Sequence, residues 1–269
     1  MTSGPVRIGR FAPQAQFYAR ARPGYPTDLL AQLIKYVGVQ PGDPVAEIGA
    51  GTGIFTCLLS GCSLTVTAIE PDTMMSGLAP PLPNVSWRKG TFEASGLEDA
   101  SQEWVVAAQA FHWADPCRSL PRLRRVLRHG GHFSVLWNNR DNQANAVLDW
   151  TRRAITRHVP DFSHAYRDTN WSSVLTSTGD FDHVAHHEAR HVVTMSRPRY
   201  LDLWRSHNRL NAIAGPVRFA RFLSDLFDHL DRGGIDSIDV VYDCRAWTVQ
   251  RRDEPRSVSS NDQHASSLT

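Results

Sequence analysis

A turn built on three alternating glycines is the feature that most restricts how this chain can fold. It lies in the stretch VAEIGAGTGIFT, from Val45 to Thr56, and places Gly49, Gly51 and Gly53 directly after a short apolar segment. Glycine lacks a Cβ, so it adopts positive φ easily and lets another group lie flat on the main chain. Three glycines between a strand and a helix therefore predict a turn that holds a nucleotide-like ligand.

Apolar segments alternate with helical segments around this turn. We predict five strands, in PVAEIGA, SLTVTAIE, NVSWRKG, EWVVAAQAFHW and HFSVLWNN, and two later ones in HVAHHEARHVVTM and DVVYDCRAWTVQ. Strands that are apolar on both faces and alternate with helices are typical of a parallel sheet covered on both sides. Ligands of such sheets bind beyond the carboxyl ends of the strands, near the point where the strand order reverses.

The pattern changes after Asn139, where amphipathic helices surround the last two strands. We interpret these helices as insertions that roof the ligand cleft. The chain is then one domain over residues 1–250, with an N-terminal cap (1–37), a binding core (38–140), helical insertions with the sixth strand (141–237) and the last strand (238–250). The polar residues 251–269 are expected to be disordered.

Composition narrows the class of protein and of partner. The net charge of +2 argues against an obligate polyanionic partner. Four scattered cysteines, Cys57, Cys62, Cys117 and Cys244, form no CxxC pair and indicate small apolar side chains in a reduced, cytoplasmic protein. No apolar segment has the length of a membrane span or of a signal peptide core, so we expect no membrane association.

The residues around the glycines decide between ligand classes. A P-loop needs Lys followed by Ser or Thr after its last glycine, and a dinucleotide fingerprint needs glycine at Ile54 or Thr56; neither is present. Instead, Glu47 precedes the glycines and Glu70 ends the second strand, where a carboxylate suits two ribose hydroxyls. This pattern favours a cationic nucleoside, and S-adenosyl-L-methionine (SAM) is the main candidate.

The sequence resembles the class I SAM-dependent methyltransferases, and within them the small-molecule branch that is similar to trans-aconitate methyltransferase. The resemblance covers roughly residues 11–139 and is carried by FYARARPGYP, EIGAGTG, AIEPDTMM, AAQAFHWAD and RVLRHGGHFSVLWNNRD. It implies an α/β, Rossmann-like sheet of seven mostly parallel strands. It also implies transfer of a methyl group from SAM to a small-molecule acceptor, with S-adenosylhomocysteine as the product.

The resemblance assigns eleven residues to the cofactor: Tyr18, Arg22, Glu47, Gly49, Ala50, Gly51, Glu70, Met75, Thr91, Phe92 and Gln109. Glu70 would hold the ribose hydroxyls, Met75 would pack on the adenine and Arg22 would pair with the carboxylate of SAM. Thr91 stands where an aspartate is common, so the backbone of Phe92 would replace the usual contact with the adenine. For the side chain of Glu47, contact with SAM and capping of amides around the turn both stay open.

His112 is the candidate catalytic residue, because it directly follows the fourth strand, where the acceptor should meet the methyl group. It is expected either to act as a general base or to be structural, together with Trp113. The acceptor pocket is assigned to five residues: Tyr25, Trp113, Trp137, Asn138 and His207. An RNA methyltransferase, a non-catalytic SAM-binding protein and a nicotinamide oxidoreductase remain as alternatives, and a homodimer is possible.

Two further motifs are interpreted as not functional. HEARH, from His187 to His191, matches a zinc-protease motif that works only on a helix, whereas here it lies in a predicted strand. On a strand the two histidines would stand ~13 Å apart, too far to share a metal, so no metal site is expected. RLRRVLRH is interpreted as a solvated helix face, which makes nucleic acid an unexpected partner.

Overall fold

A seven-stranded sheet forms the centre of the computed structural model, which describes residues 14–163 and 169–253. The strands are β1 (Pro44–Ile48), β2 (Thr65–Ile69), β3 (Val85–Arg88), β4 (Gln102–Ala108), β5 (Leu127–Arg140), β6 (Phe181–Ser196) and β7 (Ser237–Arg251). Their order is β3-β2-β1-β4-β5-β7-β6. The first five strands pair in parallel, and β7 runs antiparallel between β5 and β6. The predicted Rossmann-like α/β sheet is confirmed.

Nine helices of the described residues surround the sheet: α1 (Ala15–Ala21), α2 (Thr27–Val37), α3 (Ile54–Gly61), α4 (Thr73–Ser76), α5 (Pro116–Val126), α6 (Ala146–His158), α7 (Trp171–Leu175), α8 (Arg197–Arg205) and α9 (Asn208–Arg232). The helix α9 bends at Gly215, whose backbone is not helical, and Pro216 follows the bend. The sequence pattern predicts a helix that continues through Leu210. The structure ends α8 at Arg205 instead, because His207 caps the start of α9.

The two faces of the sheet bury separate cores, because alternate residues of each strand point to opposite sides. Helices α2 and α3 cover one face, where Leu33, Phe55 and Trp104 are fully buried. Helices α5 and α7 cover the other face, where Leu120 and Trp171 pack against the strands. The sequence interpretation places α7 in the roof, and this is wrong, since its apolar side chains belong to the α5 face.

A third core holds the roof together. It joins α1, α6, α8 and α9 with the adjoining ends of β6 and β7, and its members include Ala21, Trp204, Phe222, Met195 and Ile238. These helices carry apolar residues at helical spacing and turn them toward one another as well as toward the sheet. The roof is therefore a packed layer with its own core.

The last strand is longer than the sequence suggests. It includes Arg251, and Arg252 donates from Nε to Asp182 Oδ2 at 2.7 Å. The carbonyl oxygen of Asp253 accepts from Arg124 at 2.8 Å. The predicted start of the disordered tail at residue 251 is thus corrected, and residues 254–269 lie outside the described part of the chain.

Glycine is required in this turn for two different physical reasons. All three have positive φ, at 76°, 57° and 81° for Gly49, Gly51 and Gly53. A Cβ on Gly49 would lie 2.4 Å from the Cβ of Ala110, so the chain itself approaches this residue. At Gly51 the nearest atom to such a Cβ is the Cε of Met75, at 3.6 Å. The space for a ligand is therefore at Gly51, while Gly49 allows the end of β4 to pack on the turn.

Candidate functional site

The candidate site lies at the carboxyl ends of four adjacent strands. The turn after β1 brings Gly51 there, β2 is followed at once by Glu70, β4 by Gln109, and β5 contributes Asn138. The strand order changes direction at β1, with β2 on one side and β4 on the other. This is the position at which open α/β sheets bind ligands, so the predicted place of the site agrees with the fold.

Glu70 ties the glycine turn to the next strand end. Its Oε2 accepts from the amide of Gly51 at 2.8 Å, and its Oε1 accepts from the amide of Asp72 at 3.0 Å. Burial raises the pKa of this carboxyl, and the two amide hydrogen bonds oppose that rise. A carboxylate has about four lone-pair positions, so two remain for other donors. Glu70 is thus able to support the turn and to accept hydroxyl groups at the same time.

Glu47 is a buried carboxyl that accepts a hydrogen bond from the neighbouring helix. The hydroxyl of Thr56, in α3, donates to its Oε2 at 2.5 Å, and the side chain is 1% exposed. Burial raises the pKa of Glu47 to about 8; the charge of Glu70 adds to the rise and the Thr56 hydroxyl opposes it. The capping of a turn amide, one of the two roles left open for Glu47, is performed by Glu70.

The residues assigned to the adenine follow β2 and β3, and Ala50, assigned to the rest of the cofactor, lies in the turn itself. Met75 is buried at the end of α4, and Ala50 is buried within the turn. Phe92 is buried and packs edge-on against Phe111, with ring centroids 5.3 Å apart. The hydroxyl of Thr91 accepts from the amide of Ala94 at 3.2 Å and so stabilises its own loop.

Gln109 connects the ends of β4 and β5. Its backbone has a φ of 58°, which is uncommon for a residue with a side chain and is a form of strain found at functional sites. Its Nε2 donates to the carbonyl oxygen of Asn138 at 3.1 Å, and its backbone amide donates to Leu136 at 2.8 Å. These two bonds hold the side chain at the strand end.

The segment after α1 is attached to the end of α8. Arg22 donates from Nε to the hydroxyl of Ser206 at 3.0 Å and from Nη2 to the Ser206 carbonyl at 3.3 Å. Its guanidinium also lies over the ring of Tyr18, 4.9 Å from the centroid. Burial raises the pKa of Tyr18, the charge of Arg22 lowers it, and the carboxyls of Glu70 and Glu47 raise it. Tyr18 and Arg22 therefore lie in the electrostatic environment of the site.

His112 lies in the short 3-10 turn Phe111–Trp113 that follows β4. The indole N–H of Trp137 donates to His112 Nδ1 at 3.4 Å. Burial lowers the pKa of His112 to about 4, and the positive charge of Arg209 contributes in the same direction. The neighbouring Trp113 is 42% exposed, with its ring centroid 4.9 Å from that of the imidazole. The ring of His112 is thus neutral near pH 7.

Trp137 and Asn138, also assigned to the acceptor pocket, contact other side chains and the backbone of the fold. Trp137 is 2% exposed and stacks on Trp171 with centroids 4.1 Å apart. Asn138 donates from Nδ2 to the Gly24 carbonyl at 2.9 Å and bonds to His191 Nε2 through Oδ1 at 2.9 Å. Both side chains are buried and make contacts within the fold, and their assignment to the acceptor pocket stays a prediction.

The last two residues assigned to the acceptor pocket, His207 and Tyr25, also make contacts within the fold. His207 accepts from the amide of Leu210 at 3.3 Å through Nδ1, so it caps α9. Tyr25 packs edge-on against Phe55 at 5.1 Å, and burial raises the pKa of its hydroxyl well above the usual value. Sequence reasoning missed Ser206 and Arg209, which reach the site from the α8–α9 junction; nothing in the sequence around them marks them.

The HEARH motif lies on β6, as predicted. His187 and His191 pair with Ala246 and Tyr242 of β7, so they are separated along an extended strand. His187 packs against Tyr36 at 5.2 Å. Across residues 14–163 and 169–253, no three potential metal ligands come together. No helix in this part of the chain is long and apolar enough to cross a bilayer.

Comparisons with known proteins show that this chain is similar to methyltransferases. Residues 46–135 match the family model described as a methyltransferase domain. An uncharacterized methyltransferase of Mycobacterium tuberculosis is 34% identical over 179 residues, which cover 62% of this chain and 72% of that protein. A Saccharomyces cerevisiae protein named a probable S-adenosylmethionine-dependent methyltransferase is 26% identical over 130 residues, or 45% of this chain and 44% of that protein.

Solved structures support the fold. A protein of Anaeromyxobacter dehalogenans assigned as a type II methyltransferase superposes with a TM-score of 0.60 at 22% identity, over 84% of this chain and 97% of that chain. Phosphoethanolamine N-methyltransferase 2 of Haemonchus contortus, solved with phosphomonomethylethanolamine and S-adenosylhomocysteine, superposes with a TM-score of 0.50 at 14% identity. That match covers 91% of this chain and 61% of the nematode chain.

Proposed function

This chain belongs to the SAM-dependent methyltransferases, and we propose that it transfers the methyl group of SAM to a small organic molecule. We also propose that it belongs to the branch similar to trans-aconitate methyltransferase. SAM is the methyl donor and S-adenosylhomocysteine is the product. The observation that carries the small-molecule proposal is the packed helical roof, because it packs beside the carboxyl end of β5, at the edge of the sheet where the site lies.

The residues at this edge fit SAM. Gly51 leaves room for a ligand on the main chain, since, apart from its two chain neighbours, Met75 Cε is the only atom of the described residues within 4 Å of the position of a Cβ. Glu70 has lone pairs left for the ribose hydroxyls, and Arg22 has five N–H donors, of which two point to Ser206. We propose that the remaining donors of Arg22 bind the carboxylate of SAM and that Gln109 lies beside the methionine part.

This chain's contribution to methyl transfer is proposed to be alignment of the acceptor and exclusion of water. SAM supplies an activated methyl group, and an in-line transfer needs the acceptor lone pair directly opposite the bond that breaks. Positioning of this kind is worth ~7–11 kcal/mol. The roof supports such a role, since Ser206 contacts Arg22 and the charge of Arg209 reaches His112.

The ion pairs formed by the arginines of the basic segment favour a small-molecule acceptor over RNA. In RLRRVLRH, Arg125 pairs with Asp99, and Arg128 pairs with Glu103 at 2.6 Å. Binding of RNA to these arginines would have to break such pairs. The nematode enzyme, solved with phosphomonomethylethanolamine and S-adenosylhomocysteine, has the same fold and supports the proposal by analogy.

Transfer of labelled methyl groups tests the function. The purified chain is incubated with methyl-labelled SAM and either a low-molecular-weight metabolite extract or total RNA, each from bacterial cells. We expect label in the small-molecule fraction only. Label in RNA would support the RNA methyltransferase alternative, and SAM binding without transfer to either fraction would support the non-catalytic one.

Replacing Glu70 by alanine is expected to weaken SAM binding by roughly 1.5–3 kcal/mol, the range of hydrogen bonds to a charged group. Isothermal titration calorimetry measures the change. Glu103→Ala is the matched control, because it removes a carboxylate at the opposite end of β4 and should leave the affinity unchanged.

A second ligand separates contact with the ribose from support of the turn. The 2′-deoxy analogue of S-adenosylhomocysteine lacks one hydroxyl, so the natural chain should bind it more weakly than S-adenosylhomocysteine. In Glu70→Ala this difference should disappear. An equal loss of affinity for both ligands would restrict Glu70 to supporting Gly51.

A homodimer and a cytoplasmic location are further parts of the proposal. The free thiols of Cys57, Cys62, Cys117 and Cys244 suit a reducing compartment, although Cys117 is exposed and is not the apolar filler that the sequence suggests.

The strand β6 lies at the edge of the sheet, which favours association of two chains along that edge. Light scattering at the monomer mass of 30.1 kDa would exclude the dimer.

A further inference from the structure

We infer that Ser206 is a positioning residue for the methyl donor, because it holds the guanidinium of Arg22 in the orientation that binds the carboxylate of SAM. The inference rests on the proposed function, which assigns Arg22 to that carboxylate. It adds to the binding of the donor a residue of the roof, at the junction of α8 and α9.

The hydroxyl of Ser206 is oriented by its own helix. It donates to the carbonyl oxygen of Leu203 at 2.6 Å, and a carbonyl oxygen only accepts, so the hydrogen of the hydroxyl is used there. Toward other groups Oγ is therefore an acceptor, and Arg22 donates to it from Nε at 3.0 Å. Ser206 is 1% exposed, so this acceptor is held in the interior of the protein.

A second bond sets the rotation of the guanidinium. Nη2 of Arg22 donates to the backbone carbonyl of Ser206 at 3.3 Å. Ser206 directly follows α8, and at the end of a helix the backbone carbonyl groups lack helical partners and a positive charge is favourable. Two bonds to one residue fix the plane of the guanidinium, whereas a single bond would allow it to turn.

The guanidinium held in this way lies beside the glycine turn. It stands over the ring of Tyr18, 4.9 Å from the centroid. Burial raises the pKa of Tyr18, the charge of Arg22 opposes the rise, and the carboxyls of Glu70 and Glu47 add to it, so all three side chains lie within electrostatic range of one phenol. The bonds to Ser206 use two of the five N–H groups of Arg22, and a guanidinium fork suits a carboxylate.

An exposed ion pair joins the same two helices and offers a matched control. Arg20 Nη2, in α1, lies 3.0 Å from Asp202 Oδ2, in α8, and the side chain of Arg20 is 60% exposed. Asp202 is one helical turn before Ser206. Asp202→Asn therefore weakens the attachment of α1 to α8 and leaves the bonds between Arg22 and Ser206 in place.

Calorimetry with two ligands that differ only in the carboxylate tests the inference. The probes are S-adenosylhomocysteine and its decarboxylated analogue, which keeps the nucleoside and the amino group. The full-length natural chain should bind S-adenosylhomocysteine at least about tenfold more tightly, the value of a hydrogen bond to a charged group. In Ser206→Ala this preference should fall about three- to tenfold, the value of one ordinary hydrogen bond, and in Asp202→Asn it should stay unchanged.

The affinity for the decarboxylated analogue serves as the control for folding. It should change less than about twofold in Ser206→Ala, because that ligand makes no use of Arg22. Ser206→Gly also lacks the hydroxyl and replaces Ser206→Ala if the alanine variant does not fold.

A double-mutant cycle shows whether Ser206 acts through Arg22. Arg22→Lys keeps the positive charge but has neither the Nε–H nor the fork, so it should reduce the preference by itself. Adding Ser206→Ala to Arg22→Lys should then reduce the preference no further. Additive losses would overturn the inference, because Ser206 would then act on the ligand by another route.

Two other results would overturn the inference, and they separate it from the proposed function. If Ser206→Ala weakens both ligands equally or leaves the preference intact, the role of Ser206 fails while the assignment of Arg22 stands. If the natural chain binds both ligands equally, the assignment of Arg22 to the carboxylate fails as well.

Discussion

Replacing Glu47 by glutamine is expected to stabilise the protein at pH 8.5 by a few kcal/mol and to have little effect at pH 5. In the folded chain the pKa of Glu47 is raised from 4.5 to about 8, mainly by burial. The folded state thus keeps a proton that the unfolded state releases above its own pKa. Stability from this group is fully present below about pH 4.5 and is lost as pH rises toward 8, with an upper limit of roughly 5 kcal/mol.

Urea unfolding of both chains across this pH range measures the effect. Glutamine keeps an oxygen to accept from the Thr56 hydroxyl and carries no titratable proton, so the difference between the two chains isolates the ionisation of Glu47. The exposed Glu98→Gln is the control and should change stability equally at both pH values. If Glu47→Gln and the natural chain lose stability in parallel as pH rises, Glu47 ionises at its ordinary pKa in the fold.

Gly49→Ala is expected to destabilise the protein by roughly 2–4 kcal/mol. Two costs combine: a side chain at a φ of 76° is strained, and its Cβ would overlap the Cβ of Ala110, which is fixed to the backbone. Because the end of β4 would have to move away from the turn, we also expect weaker SAM binding.

The urea midpoint of Gly49→Ala measures this effect. Gly61→Ala is the control. Gly61 ends α3, a Cβ there would have no atom of another described residue within 4 Å beyond its own helix and chain neighbours, and alanine is the better helix former. It should be neutral or slightly stabilising. An unchanged midpoint for Gly49→Ala would mean that the packing of Ala110 on the turn is not required.

Much of the fold is predictable from the sequence because the pattern is local. Apolar strands that alternate with amphipathic helices indicate the sheet, and the glycines mark the turn at its binding edge. The same local information does not give the direction of a side chain. Trp137 and Asn138 are neighbours on β5, and the sequence assigns both to the acceptor pocket. The side chain of Trp137 nevertheless enters the core, whereas that of Asn138 bonds to Gly24 and His191.

The contacts of the roof show a second reason why the sequence predicts the structure only in part. Arg22 and Ser206 are 184 positions apart, and their contact depends on how α1 and α8 pack. The helix α7 has the same amphipathic character as its neighbours, so its position on the α5 face follows only from tertiary packing. Periodicity identifies such helices but not their partners.

The separate core of the roof has a consequence for engineering. Because Trp204 and Phe222 pack among roof elements and not with the centres of the first five strands, that layer is exchangeable in principle. Chimeras that graft α6 and α9 of a related enzyme onto this sheet, and that retain Tyr18, Arg22 and Ser206, should keep the donor half and acquire a new substrate range. Libraries for altered selectivity are best concentrated there, leaving the nucleoside half untouched.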